Sequence, residues 1–368
     1  MKVIDSKKER YVFEDICWQL DKEENEYLPQ VEISELTLKF QEIHFGHPET
    51  RGITVKNVGQ SPVSLSFIPK IDEIDICKPW LSISPESSVI NTTESIELQF
   101  TIEIKEEIAS TLDKDKNLED ILILHLEGGK DFFITIQATY IASCFGSSLE
   151  YLSHLRVPFF QARVPTGNLI DVDDVTAIPE PASRYIQSLM LDDNVELPQE
   201  LVAMVEYLKE HAGKTENLFQ ERGLKWEMDN IRKCLDKGDP LTGSVHSIAA
   251  CLITFLAALE NPVIPFHLQM KCLDASSNYT ICKQVVLKEL PESHKTTFRY
   301  LIRFLNHLLR DNALYTLPIS HIFGSILLRS EYNLGAKSKM EQNPNRDELS
   351  IAKKKTTFIY QFLTNTII

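Results

Sequence analysis

The chain has 368 residues, 43% hydrophobic and 25% charged, with a formal net charge of -15. That composition is ordinary for packed globular domains and leaves room for about two or three of them. The acidic balance excludes a nucleic-acid-wrapping protein, which needs a dense basic surface. It also excludes an anionic membrane as the main target, because the one basic run, Lys353-Lys354-Lys355, is short and reads as a solvated helix face.

Val12, Phe13, Ile16, Cys17 and Leu20 fall at helical spacing, which predicts a short leading helix or connector over residues 1–28. Alternation then takes over. Ile96, Leu98, Phe100, Ile102 and Ile104 face one way while Glu97, Gln99, Thr101 and Glu103 face the other, the period of a half-buried strand. Further strands are expected at Ile53–Val55, Val63–Ile68, Ile121–Leu126 and Phe132–Tyr140, with turns at Asn57-Val58-Gly59, Ser84-Pro85-Glu86 and Gly128-Gly129. Residues 29–147 therefore read as a β-sandwich. Residues 148–194 read as a connecting helix, Ser148–Leu155, and an acidic, proline-rich linker from Val157 to Asn194. From 195 to 368 the period is helical, carried by Leu201, Met204, Val205 and Leu208, by Val245, Ile248, Ala249 and Leu252, and by Phe298, Leu301, Ile302 and Leu305.

Seven cysteines are scattered with no Cys-x-x-Cys spacing, so reduced thiols are expected. His44 and His47 have no matching Cys or His partners and read as part of a surface loop; no metal and no cofactor is expected. No run reaches the ~18 apolar residues of a membrane span, and Met1–Lys8 has no apolar core of signal length. The sequons at Asn91 and Asn278 are accordingly read as chance.

The stretch Glu216-Asn217-Leu218-Phe219-Gln220-Glu221-Arg222-Gly223 resembles the finger loop of a Rho GTPase-activating (RhoGAP) domain. Other landmarks of that family follow in order: Leu197-Pro198 before the loop, then Val245–Ala249, Phe255–Pro262, Leu290-Pro291 with His294, and Ile322-Phe323-Gly324. The first half is similar to an ASH domain, an immunoglobulin-like module, in Ser66–Lys70, Cys77–Leu81, Glu119–Leu126, Gly129–Asp131 and Ser143–Gly146. The order is that of the C-terminal half of the type II inositol polyphosphate 5-phosphatases, and the resemblance covers nearly the whole chain. It implies an all-β immunoglobulin-like sandwich followed by an all-α RhoGAP-like domain. The phosphatase motifs Gly-Asp-x-Asn and Ser-Asp-His are absent from these residues.

The resemblance also marks the departures. The family's finger is an arginine that neutralises charge on the γ-phosphoryl oxygens and is worth roughly a thousand- to hundred-thousand-fold in rate; Gln220 stands there. Ile253 replaces the family's lysine and Pro318 its asparagine. A binding protein is therefore expected rather than a catalyst. The rivals are an active RhoGAP using Arg222 as a displaced finger, or a piece of a phosphoinositide 5-phosphatase.

Phe133 shares the polar face of its strand with Thr135, Gln137 and Thr139, which makes it a candidate interface anchor unless a neighbouring helix covers it. In the resembled family this strand and the next helix bind GTP-loaded Rab proteins, so the implied Rab surface is Phe133, Thr135, Gln137, Leu149 and Leu152. Leu169-Ile170-Asp171-Val172-Asp173 fits the clathrin-box pattern of Leu, apolar, any, apolar, acidic. Further implied partners are Rac and Cdc42 and endocytic adaptors, although Val202 stands where a family member has Trp in the adaptor groove. The resemblance places such a protein in the cytoplasm, peripheral on endosomal and Golgi membranes. Asn57 is read as turn chemistry.

Overall fold

The computed structural model describes residues 28–112, 117–163, 197–213, 215–310, 313–330 and 346–365. The described residues fall into two compact units. One holds the chain up to Ile104 and the stretch ending at Ile141; the other holds the short segment that begins at Lys105 and everything from Ala142.

The first unit is, among the described residues, a two-sheet sandwich of nine strands. They are β1 (Val31–Ile33), β2 (Thr37–His44), β3 (Glu49–Asn57), β4 (Val63–Ile68), β5 (Leu81–Ser84), β6 (Ser87–Ile90), β7 (Ser95–Ile102), β8 (Asn117–Leu126) and β9 (Asp131–Ile141). One sheet runs β1-β3-β7-β5, the other β2-β9-β8-β4-β6. The alternation seen in sequence is the alternation of burial. In β7 Leu98, Phe100 and Ile102 are fully buried, and in β9 Ile134, Ile136 and Tyr140 turn inward. Phe67 meets Phe100 edge-on at 5.9 Å between the ring centres. Burying such side chains is worth about 1.5–3 kcal/mol each, the main term holding the sheets together.

Asn57 does the turn work expected of it and more. Its Oδ1 accepts from Gly59 N at 2.9 Å, closing the Asx turn. Its Nδ2 donates to Ser61 O at 2.8 Å and Ile90 O at 3.0 Å, so a wholly buried amide has its polar atoms satisfied. His44 is the last residue of β2 rather than part of a surface loop, and is half-buried; His47 is exposed.

The second unit is helical: α1 (Glu106–Ala109), α2 (Leu149–His154), α3 (Phe159–Arg163), α4 (Gln199–His211), α5 (Lys225–Lys237), α6 (Val245–Ala258), α7 (Gln269–Ala275), α8 (Tyr279–Glu289), α9 (Glu292–Leu309), α10 (Thr316–Leu327) and α11 (Arg346–Thr364). The expected linker is helical at its start, in α3, because Phe159 is fully buried and meets Tyr151 edge-on. The leading helix and the rest of the linker lie outside the described residues.

The Ser143–Gly146 motif has a structural role. Buried Asp236 of α5 accepts from Ser143 Oγ at 2.9 Å and from Cys144 N at 2.8 Å, and pairs with buried Arg232 at 3.3 Å. Gly146 sits at φ +91, where a Cβ would stand 2.8 Å from Ala109. The basic run is not a solvated face throughout. Lys353 and Lys354 are exposed, but Lys355 shares its helix side with buried Phe358, Ile359 and Phe362 and is itself buried.

Candidate functional site

The outer face of the five-stranded sheet carries an apolar row. Register places Ile68 of β4 opposite Ile123 of β8, and Ile123 opposite Phe133 of β9. Phe133 is 59% exposed; Ile121, opposite Thr135, is exposed as well. Thr135 and Gln137 continue the same face, half-buried between β8 and β2, where they lie opposite Thr37 and Lys39. A fully pleated strand sends successive side chains to opposite faces, so Phe133 has no route to the core. Among the described residues it stays largely exposed, a rigid aromatic beside branched neighbours.

Leu149 and Leu152 do not belong to an exposed surface. Both are fully buried. The reason is helical geometry: α2 is amphipathic, and its apolar positions turn inward with Ser153 while Tyr151 is half-buried and His154 exposed. Ser148 caps the helix through Tyr151 N. Glu150 ties it to α9, its Oε1 lying 2.8 Å from Nε2 of buried His294, whose Nδ1 is bonded to Val263 O at 2.9 Å.

The finger-loop frame is a built surface of the helical unit. Phe219 anchors it, edge-on to Phe323 at 5.1 Å and to Phe304 at 6.5 Å. Asn217 takes a positive φ of 54, and its carbonyl accepts from Gln220 N at 2.9 Å and Glu221 N at 3.2 Å. Gly223 lies against α6: a Cβ there would be 2.9 Å from Met228 Sδ and Ser247 Cα. Leu224 N donates to Ser247 Oγ at 3.0 Å, and Glu227 accepts from Ser244 N and Oγ at 3.1 and 2.7 Å. These hydroxyl and amide donors hold the Glu227 carboxyl below its ordinary range, Ser247 first among them. An open pocket of about 540 Å³, mouth included, is lined by Leu218, Phe219, Gln220, Tyr315, Ile319 and Ile322 among others.

Gln220 and Arg222 are both exposed on this loop. Ile253 is half-buried on α6 and offers only hydrocarbon. Pro318 sits in the first turn of α10, where an N–H would have no helical partner anyway, so the helix tolerates it, and it offers no side-chain hydrogen-bonding group. His246, at the start of α6, places Nε2 3.6 Å from Glu221 Oε2 beside Gln220, a partner that the order of landmarks alone could not show. Val202 is buried at 7% exposure, so α4 presents no aromatic there. Leu169, Ile170, Asp171, Val172 and Asp173 lie outside the described residues.

A β-sandwich unit and a helical unit with a finger-loop frame define a class of two-domain chains, all-β then all-α. Comparison with known proteins makes this specific. Residues 33–140 match the family described as the inositol polyphosphate 5-phosphatase OCRL-like ASH domain, and residues 198–332 match the RhoGAP domain. The chain thus carries an OCRL-like ASH domain followed by a RhoGAP domain. It is similar to mouse type II inositol 1,4,5-trisphosphate 5-phosphatase, 36% identical over 99% of this chain and 35% of that protein. It therefore spans about a third of that relative's length, its ASH–RhoGAP part. The helical part is 29% identical to zebrafish SLIT-ROBO Rho GTPase-activating protein 2 over 36% of this chain and 13% of that one. A solved structure of human Rho GTPase-activating protein 15 is 16% identical, covers 45% of this chain and 81% of its own, and has a TM-score of 0.38, too low to add to the sequence match.

Proposed function

We propose that the chain is a non-catalytic scaffold of membrane traffic that binds small GTPases. Its ASH domain takes a GTP-loaded Rab on the face built by Phe133, with Thr135 and Gln137 beside it. Its RhoGAP domain holds a Rho-family GTPase such as Rac or Cdc42, or an endocytic adaptor, without speeding GTP hydrolysis. It works in the cytoplasm, held on endosomal and Golgi membranes by its partners. The observation that supports the Rab reading is exposed Phe133, at the end of a row with half-buried Ile123 and Ile68 and beside exposed Ile121, on the face that carries Thr135 and Gln137. The loss of catalysis rests on the uncharged amide of Gln220 in a frame that is otherwise packed and hydrogen-bonded.

A pull-down against a panel of Rab proteins, each loaded with GTP or GDP, tests the first part. Retention of at least one GTP form over its GDP form is expected, and no retention of any Rab overturns it. Single-turnover hydrolysis by Rac and Cdc42 tests the second: rates equal to buffer are expected, while stimulation abolished by Arg222→Ala would make Arg222 the finger. A peptide of residues 167–176 is expected to bind the clathrin terminal domain weakly and to lose binding with Leu169→Ala.

A further inference from the structure

Among the described residues, Lys355 is a buried cation without a counter-ion. It is 9% exposed on α11, and among the described residues no carboxylate lies within ion-pair reach of it, whereas its neighbour Lys354 has Asp274 at 3.8 Å. Burial pulls its pKa down. Its place is set by the backbone: α11 presses on α10 so closely that a Cβ at Gly324 would come within 2.9 Å of the Lys355 carbonyl. The side chain ends just past α10, where Nζ donates to Ser330 Oγ at 3.1 Å.

A second donor meets the same oxygen. Gln269 Nε2, from the start of α7, reaches Ser330 Oγ at 3.3 Å and Leu328 O at 3.0 Å. Two donors from two helices thus converge on one hydroxyl, and Ser330 is itself exposed. The C-terminal carbonyls of α10 offer at most about half an elementary charge, so most of the ammonium's charge is uncompensated in a place where an unpaired charge is unfavourable.

We infer that Ser330 is a phosphorylation site and that Lys355 and Gln269 form the seat for its phosphate. A protein kinase would transfer the γ-phosphoryl group of ATP. The Ser330 Oγ–P bond forms as the bond from that phosphorus to the β,γ-bridging oxygen breaks, ADP leaves, and the hydroxyl proton passes to the kinase's base. The product carries roughly -1.5 to -2 charge at pH 7 and three acceptor oxygens, against one neutral oxygen before. It supplies the missing counter-ion at the point where α7, α10 and α11 meet. The phosphate faces the negative end of α10, an opposition screened by solvent on the exposed side and outweighed by contact with a buried ammonium. One end of α10 is then clamped, and the other end carries Pro318 and pocket residues Ile319 and Ile322.

The test is the chain carrying phosphoserine at 330, introduced during translation, beside the unmodified chain, each with and without Lys355→Met. Phosphorus NMR follows the second ionisation of the phosphate, ordinarily near pH 6. With Lys355 present the midpoint falls by about half a unit or more, a threefold or greater drop in proton affinity; with Lys355→Met it returns to the value of a short phosphopeptide. Thermal unfolding shows phosphorylation raising Tm only when Lys355 is present. Lys355→Met removes a buried charge at nearly constant volume, so the unmodified variant folds. The same midpoint in both backgrounds overturns the seat. Peptide mapping of the chain from its own cells, with phosphatases inhibited, is expected to find phosphate on Ser330; its absence there overturns the site.

Discussion

The outer sheet face and the finger-loop face depart from expectation in opposite ways. On the sheet, an apolar residue stands where the strand's period calls for a polar one, and two more branched residues line up with it. On the finger loop, Phe219 and Gly223 are closely packed, and the exposed position between Phe219 and Glu221 holds the uncharged Gln220. The first is a gain of exposed apolar area, which has no structural reason and so points to a partner. The second is an uncharged amide in a packed frame, which in the proposed reading leaves the loop to bind without catalysing. Exposed surface therefore has to be read by the direction of the departure.

The largest expected effect bears on the finger-loop frame. Glu200 lies in the first turn of α4, the helix that leads into the loop, and is buried at 4% exposure with Oε2 lacking a hydrogen-bond partner among the described residues. Burial raises its pKa to about 7, despite its place at a helix N-terminus, and Asp236 adds to the shift. A folded-state pKa above the unfolded value means stability that is present below about pH 4.5 and lost as pH rises toward 7. By linkage the loss is on the order of 3 kcal/mol. Glu200→Gln should flatten that slope and exceed the parent at pH 8 in urea unfolding; parallel pH profiles would remove Glu200 from the frame's weak points.

Next comes the sheet face. Phe133→Val should weaken Rab binding by about 2 kcal/mol or more, some thirtyfold, with Tm nearly unchanged. A collapse in Tm would show that the residue supports the fold and would erase the contrast between the two faces. Gly223→Ala should cost about 1–2 kcal/mol in Tm-derived stability, because Ser247 Cα is backbone and cannot step aside as a flexible side chain does. Unchanged stability would mean the frame is looser than its contacts.

The smallest expected effect is the most pointed. Gln220→Arg should leave GTP hydrolysis on Rac or Cdc42 at the buffer rate. On the proposed reading Ile253 and Pro318 also lack the polar groups that would position a GTPase, and residues acting as a unit return little when restored singly. Clear stimulation by that single change would reduce the contrast to one lesion.

The sandwich and the helical unit were both visible in the sequence because β7, β9, α4, α6 and α9 each bury one face, and burial writes its period into the residues. What stayed hidden lacks a period. β5 and β6 have four residues each, too few to show alternation. β2 alternates through Leu38 and Phe40, then shifts register between Lys39 and Glu42, so Ile43 falls on the wrong parity. At the sites, Phe133 was legible as a local violation. The burial of Leu149 and Leu152 was not, because an apolar pair on a short helix has the same spacing whether it faces a partner or the core. Lys355, Glu200 and Asp236 were invisible because contacts between distant segments decide their burial.

The irregularity in β2 bears on how anything can dock beside Phe133. β2 is the edge of the five-stranded sheet, the strand next to β9. Its broken register and the exposed charges of Lys39 and Glu42 make it a poor template for an added strand, the usual route by which open edges aggregate or capture peptides. A partner must therefore approach flat, side chain against side chain, with no ladder of backbone hydrogen bonds to secure it. Such recognition is unforgiving of shape: one altered methyl on the visitor is felt, where a backbone zipper would overlook it. On the proposed reading, a sheet guarded at its rim would select among related GTPases by the fit of side chains alone.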